Sequence, residues 1–223
     1  MRNGDDGFEG PAGSMGGISN QQQEAPLEYY RAKFRKIDPD EAAGRTGIPF
    51  DAEQGRFTIR SLGHTVYAKW PEFGLVPADP GNCPAALYDF PVQILALRFL
   101  IEGAGAPAKG EFKAYRDLPW GELYDANFRG RCIKRLAAGF GAKPDVFAKA
   151  AGSLGGVKLG FGDVSFDLPF LGGVVCRLIL WAPDDEFPPS AQFLFSDNTP
   201  AAFNAEDLAG VGDVVINALK EAS

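Results

Sequence analysis

The stretch that decides the fold is WAPDDEFPPSAQFLFSDNTPAAFNAEDL, residues 181–208. It continues the apolar run 174–181, turns at three acidic residues and two prolines, and then alternates apolar and polar side chains over 192–195. Short alternating runs bounded by turn residues are typical of strands. Asn204 then follows as a helix cap, with Asp207 three residues later in an approximation to a capping box. We therefore predict a strand, a turn, a second strand and a helix.

The same period-two pattern extends towards the N-terminus. Residues 157–159 and 164–166 are predicted as two further strands, so that 174–181, the most apolar of the set, should lie centrally in an antiparallel meander. An earlier pair of alternating runs, 57–60 and 65–68, is joined by a Leu-Gly turn and predicts a hairpin.

Apolar residues at helical spacing predict the helices. The segment 91–102 is apolar nearly all round, which is typical of a helix buried against several neighbours. We expect it to lie across a sheet as the central core helix. The other predicted helices are 27–37, a short helix that Asp38 caps and Pro39 begins, a helical insert at 120–126, 129–140 and 144–153, and a last helix over 205–221.

Strands and helices are segregated along the chain, which favours an α+β fold. The predicted architecture is an antiparallel sheet, made of the N-terminal hairpin and the C-terminal meander, packed with a central apolar helix and the helical insert. Residues 26–223 are expected to form one domain. Residues 1–25 are rich in glycine and glutamine and poor in large apolar side chains, so we predict a disordered N-terminal tail.

Composition restricts the classes of protein. The net charge of −7 argues against nucleic acid as the main partner. The longest apolar stretch, 91–101, contains Arg98 and is far shorter than the ~20 residues of a membrane span. No secretory signal pattern is visible, so we expect a soluble, cytoplasmic protein that does not bind membranes. Three widely spaced cysteines are interpreted as buried or semi-buried thiols in a reducing compartment.

Several common chemistries lack their sequence signature. The single histidine, His64, is interpreted as a surface residue of the hairpin, which leaves no histidine for a catalytic set or a zinc site. The glycine-rich stretch 152–162 follows a helix and precedes a strand, the reverse of the order in a dinucleotide-binding motif. We therefore predict no catalytic residue, no metal site and no cofactor.

A basic and aromatic region is the candidate binding site. Residues 128–150 carry six basic side chains and one acidic side chain, and aromatic residues precede them. Aromatic rings beside arginines can line a pocket for a planar or anionic ligand. The predicted ligand-binding residues are Arg116, Trp120, Tyr124, Arg131 and Arg135. In the alternative interpretation, the arginines form a solvated helix face and the aromatic side chains fill a seam between helix and sheet.

The acidic turn offers a second candidate. Asp184, Asp185 and Glu186, together with Asp197, could hold a cation or supply an acid–base pair. In the enzyme hypothesis, Asp184, Asp185 and Asp197 act with Arg131. Because the turn connects two strands, where exposed charge is expected, the sequence favours a solvated connection. Cys132 poses a similar choice, between a thiol activated by basic neighbours and an inert core residue.

Short segments along the chain carry a resemblance to a known family. They are Tyr29-Tyr30-Arg31, Asp38-Pro39, Arg45-Thr46-Gly47, Leu95–Glu102, Gly105-Ala106-Pro107, Phe112, Leu118-Pro119, Leu154-Gly155-Gly156, Leu178–Trp181, Glu186-Phe187-Pro188, Gln192–Phe195 and Glu206-Asp207-Leu208. Over residues 27–220 the chain resembles a bacterial and archaeal family catalogued as domain of unknown function 3786.

The resemblance implies the fold more than a reaction, because the shared motifs are mostly structural. It implies an association with anaerobes and, through members with a cysteine-rich iron–sulfur segment, with redox or corrinoid-linked one-carbon metabolism. This chain has no such cysteine cluster, and the family supplies no catalytic residues to carry over.

Three hypotheses about function follow. The first is an accessory or binding protein of anaerobic metabolism that binds a protein partner or a small anionic ligand through residues 116–135. The alternative is an enzyme, a hydrolase or transferase that uses carboxylates and arginines on an anionic substrate. The third is a scaffold that supports the product of a neighbouring gene.

Overall fold

The computed structural model describes residues 16–223, with side chains from residue 24 onward. The helices are α1 (Gly16–Phe34), α2 (Pro39–Thr46), α3 (Phe90–Glu102), α4 (Gly121–Phe128), α5 (Lys134–Phe140), α6 (Pro144–Ser153), α7 (Thr199–Ala202) and α8 (Ala205–Glu221). The strands are β1 (Phe50–Asp51), β2 (Arg56–Ser61), β3 (His64–Lys69), β4 (Leu75–Pro77), β5 (Phe112–Ala114), β6 (Val157–Leu159), β7 (Val164–Pro169), β8 (Val175–Trp181) and β9 (Ser190–Ser196).

The strands form two antiparallel sheets, which confirms the predicted α+β class. The N-terminal sheet has the order β1-β2-β3-β4 and contains the predicted hairpin. The C-terminal sheet has the order β5-β9-β8-β7-β6, with β8 in the centre as predicted. The hairpin therefore belongs to a sheet of its own and does not extend the meander, which corrects the prediction of one shared sheet.

Helices α2 and α8 begin at the capping residues that the sequence predicts. The Asp38 carboxylate accepts hydrogen bonds from the backbone N–H groups of Asp40 and Glu41. Asn204 and Asp207 form the reciprocal capping box of α8, with the Asn204 side chain 3.0 Å from the Asp207 backbone nitrogen. Both predicted helix starts are confirmed because each cap needs only residues within three positions.

Helix α3 is buried as predicted, but its surroundings differ from the prediction. Its side chains include Leu97, Phe99 and Leu100, all fully buried. Its main neighbours are the helices α1, α2 and α8, and not a sheet. Helices α5 and α6 instead pack on the C-terminal sheet. An all-round apolar helix needs apolar neighbours on every side, and other helices satisfy that need as well as a sheet does.

The N-terminal segment is described only in part. Residues 1–15 of the predicted tail lie outside the described residues, and α1 begins at Gly16, earlier than the predicted start at 27. Among the described helices, none has the length and apolar character required to cross a membrane.

Candidate functional site

The chain enters α4 through a strained turn. Trp120, the residue before the helix, has a φ of 65°, in the left-handed region that side chains other than glycine rarely adopt. Gly121 follows, and a Cβ atom there would overlap the carbonyl oxygen of Tyr115. This close approach of the backbone turns the Trp120 indole outward, where 76% of the residue is exposed.

Helix α4 presents an apolar surface to solvent. Leu123 is 73% exposed and Tyr124 is 55% exposed. Leu123 and Tyr124 are consecutive residues of the helix, and Trp120 immediately precedes its first residue. We call Trp120, Leu123 and Tyr124 the α4 surface. Large apolar side chains grouped outside the core are typical of interaction sites.

An apolar groove lies beside this surface. It has a volume of about 220 Å³ and ends against the N-terminus of α8. Its lining consists of Leu118, Pro119, Trp120, Pro200, Phe203, Asn204, Ala205 and Leu208. We call this cavity the Trp120 groove. Asn204, the cap of α8, is its one polar lining residue.

The other aromatic residues of this region are buried. The rings of Tyr115 and Phe128 stack with centroids 4.3 Å apart, and Phe128 also contacts Phe193 and Phe195 of the C-terminal sheet. The Tyr115 hydroxyl donates a 2.8 Å hydrogen bond to the carbonyl of Ala205, and burial raises the pKa of this hydroxyl. These two rings fill a seam between helix and sheet, as the alternative interpretation expected.

Arg131 and Arg135 both contact one carboxylate of α8. The Arg131 Nε donates to Asp213 Oδ2 at 2.6 Å, and the Arg135 Nη1 donates to Asp213 Oδ1 at 2.6 Å. The Arg135 Nη2 also donates to Asn217 at 2.8 Å. We call Arg131, Arg135 and Asp213 the Asp213 clamp. It joins the helical insert to α8.

A π-helical turn places the Asp213 clamp. Residues Arg129–Ile133 form this turn and link α4 directly to α5, without the break at 127 that the sequence suggested. Inside the turn, Cys132 packs on Gly212 of α8, where a Cβ atom would lie 2.5 Å from the Cys132 Sγ. The extra residue of a π turn shifts the register of the helix.

The predicted ligand-binding residues therefore fall into two pairs and one separate residue, Arg116. Trp120 and Tyr124 lie on the α4 surface, and the exposed Arg116, in the preceding turn, has its Nε 3.7 Å from Asp117. Arg131 and Arg135 belong to the Asp213 clamp. Of the five predicted ligand-binding residues, Trp120 alone lines the Trp120 groove.

The carboxylates of the enzyme hypothesis do not converge. The Asp184 side chain accepts hydrogen bonds from the backbone of Glu186 and Phe187 and so closes its own turn. Asp197 accepts a hydrogen bond from the Lys109 backbone at the opposite end of β9. Seven strand residues separate the two ends by roughly 20 Å. The sequence-based interpretation of the acidic turn as a solvated connection agrees with this geometry.

Sequence reasoning missed a cavity of about 450 Å³. His64, Cys83, Ser153 and Glu221 help to line it, so His64 is part of a cavity wall and not simply a surface residue. The four residues are far apart in sequence, and no local pattern joins them.

This cavity lacks an activated nucleophile. Burial raises the pKa of the Cys83 thiol, with smaller contributions from Asp79 and Glu221. The Cys83 Sγ contacts the carbonyl oxygen of Pro84, and the Glu221 carboxylate accepts the backbone N–H of Ala86. Nucleophilic catalysis requires a hydrogen bond between the nucleophile and a base. Among the described residues, no hydrogen bond joins His64 to Cys83.

The remaining two thiols, Cys132 and Cys176, are buried in the core. All three cysteines are buried and free, as the sequence predicted. Burial raises the pKa of Cys132 to about 12, a larger effect than the opposing charges of Arg131 and Arg135. Within residues 16–223, no group of three or more His, Cys, Asp or Glu side chains is placed to hold a metal ion.

Comparison with known proteins identifies the family. The family model described as Domain of unknown function (DUF3786) matches residues 38–218, so the chain belongs to this family. No curated protein and no solved structure matches the chain.

Proposed function

We propose that this member of the DUF3786 family is a non-catalytic binding protein that contacts a partner protein through the α4 surface. Trp120 is the observation that carries the proposal. The residue is 76% exposed and its backbone is strained, although the nearby Tyr115 and Phe128 are buried. Strain of this kind costs about 1–3 kcal/mol and concentrates at functional sites.

The size of the apolar surface supports the proposal. The exposed parts of the three side chains amount to roughly 400 Å². Their burial would contribute on the order of 10 kcal/mol before the costs of association. Tryptophan and tyrosine are also the residue types that most often dominate binding energy at protein interfaces.

The geometry of the Trp120 groove favours a protein partner over a small molecule. Its volume of about 220 Å³ is below the range of roughly 300–1,000 Å³ that is typical of ligand sites. A groove of this size accepts one large apolar side chain. Glu122 and Asp125 border Leu123 and Tyr124 on α4, so the partner segment should combine an apolar side chain with a basic one.

The family resemblance supports a partner from anaerobic redox or corrinoid-linked one-carbon metabolism. An iron–sulfur cluster of that metabolism would belong to the partner, because the three cysteines of this chain are widely spaced in sequence. Ultraviolet–visible absorption of the purified complex tests this part: a spectrum without tetrapyrrole or iron–sulfur bands would contradict it.

The test of the α4 surface is affinity capture from the native host under anaerobic conditions, followed by binding measurements with the purified partner. Trp120→Ala and Leu123→Ala should each weaken binding at least tenfold, because hot-spot truncations cost about 2 kcal/mol or more. Phe187→Ala is the matched control, since Phe187 is 65% exposed but lies between β8 and β9.

Thermal unfolding checks that each variant folds. Equal retention of the partner by Trp120→Ala and Phe187→Ala would refute the proposal. Failure of the wild-type chain to retain any partner would also count against it.

A further inference from the structure

A third cavity lies on the N-terminal sheet, on the face opposite the core. Strand alternation places Phe57 and Ala68 in the core and turns Arg56, Tyr67 and Lys69 outward. The cavity has a volume of about 370 Å³, and these three outward residues line it together with Gln54, Gly55, Trp70, Glu72 and Val76.

Among the described residues, the Arg56 side chain has no hydrogen-bond acceptor and no carboxylate partner. Its guanidinium lies 3.6 Å from the centre of the Tyr67 ring, and its Nε is buried. Within residues 24–223, Arg56 donates no side-chain hydrogen bond and forms no ion pair. A partly buried cation without a counter-charge is unfavourable, and an arginine has five N–H donors to satisfy.

Trp70 adds a second unpaired donor to the same cavity. Its Nε1 is buried and has no acceptor among the described residues. Its backbone N–H donates to the Gly55 carbonyl at 2.8 Å, which fixes the residue at the end of the hairpin. Buried polar atoms in proteins nearly always have a partner, so two unpaired donors among the residues that line one cavity set this part of the fold apart.

We infer that this cavity binds a small molecule that carries an oxyanion, either a phosphate or a carboxylate. Oxygen atoms of such a group accept hydrogen bonds from the terminal nitrogens of the Arg56 guanidinium, and the Lys69 ammonium adds a second positive charge. Tyr67 and Val76 offer apolar contact to the rest of the molecule. The volume lies within the range typical of ligand sites. The carboxylate of Glu72, which also lines the cavity, offsets one of the two positive charges.

This site is separate from the α4 surface, and the two proposals share no residue. An extended nucleic acid is a different class of ligand. It would follow a longer basic track, which here would include Arg60 on the same face of the sheet.

The test uses Trp70 as the reporter. Trp120→Phe combined with Trp181→Phe leaves Trp70 as the only tryptophan of the chain. Titration with inorganic phosphate, pyrophosphate and citrate should change the Trp70 fluorescence with a Kd below about 1 mM for at least one probe. Comparison of citrate with the two phosphates separates the carboxylate and phosphate classes.

Variants with equal charge change identify the residues. Arg56→Gln should weaken binding at least tenfold, and Lys69→Gln about threefold, since Lys69 is exposed and contributes mainly its charge. Arg60→Gln removes the same charge from the same face outside the cavity and should leave the Kd unchanged. Lys69→Gln also provides a variant that does not disturb the Arg56–Tyr67 contact.

Three results would overturn the inference. The first is the absence of saturable binding of all three probes up to about 10 mM, well above the expected Kd. The second is an equal loss of binding in Arg56→Gln and Arg60→Gln, which would show non-specific attraction. The third is binding of a single-stranded oligonucleotide, but of none of the three probes, through Arg56 and Arg60 together.

Discussion

Replacement of Asp213 by asparagine should destabilise the fold by about 1–2 kcal/mol. Asp213 is 13% exposed, and its two arginine partners are 50% and 35% exposed. Exposed pairs contribute about 0.2–1 kcal/mol each, and solvent reduces the value for half-exposed guanidinium groups. Asparagine keeps one oxygen acceptor and removes the charge, and it leaves Arg131 and Arg135 as a like-charged pair four residues apart.

The measurement is urea unfolding, supported by thermal unfolding, of Asp213→Asn beside Asp185→Asn. Asp185 is exposed and forms no ion pair among the described residues, so its variant makes the same change in net charge. For a chain of this length the expected loss corresponds to a decrease in Tm of roughly 2–8 °C relative to the control. The difference should decrease between about 0.1 M and 1 M NaCl, because salt screens partly exposed charges.

Equal stability of the two variants, at both salt concentrations, would refute the reasoning. It would show that Arg131 and Arg135 gain nothing from Asp213, and it would return both arginines to the candidates for ligand binding. A double-mutant cycle of Arg131→Gln with Asp213→Asn isolates the pairwise energy, which we expect to be at least about 0.5 kcal/mol.

Three further predictions concern the core. At pH 8 a disulfide reagent should not modify Cys132 or Cys176 in the native chain, because burial raises the pKa of both thiols. All three thiols of the chain should react in denaturant. Rapid reaction of Cys132 or Cys176 in the native chain would contradict this prediction. In urea unfolding, Gly212→Ala should destabilise the fold by about 1–3 kcal/mol, because the added Cβ atom would overlap the Cys132 side chain. Gly210→Ala is the control and should be neutral or stabilising, because a Cβ atom there would lie 3.5 Å from the nearest atom, on Leu95. Burial raises the pKa of Asp207, despite the opposing effects of Arg98 and the Asn204 backbone, so the contribution of Asp207 to stability is present at low pH and lost as the pH rises through the folded-state pKa. In urea unfolding, the free energy of unfolding of the wild type should therefore decrease relative to that of Asp207→Asn as the pH rises from about 4 to 7. A relative increase over this range would disprove the assignment.

The sequence by itself determined the features that depend on a few neighbouring residues. The cap of α2 by Asp38, the capping box of α8 and the hairpin of β2 and β3 all follow from contacts within one turn. The central position of β8 also followed, because the most apolar strand of a meander has the most neighbours to cover it.

Only the tertiary structure decided which candidate residues remain available for binding. Arg131 and Arg135 have their partners on α8, about 80 residues away in sequence, and no local pattern reports such a contact. The sequence gives Trp120 and Phe128 the same aromatic character, but the close approach of Gly121 to Tyr115 turns one outward while the C-terminal sheet buries the other. Side-chain chemistry is fixed by the sequence, whereas exposure and pairing depend on which distant segments the fold brings into contact.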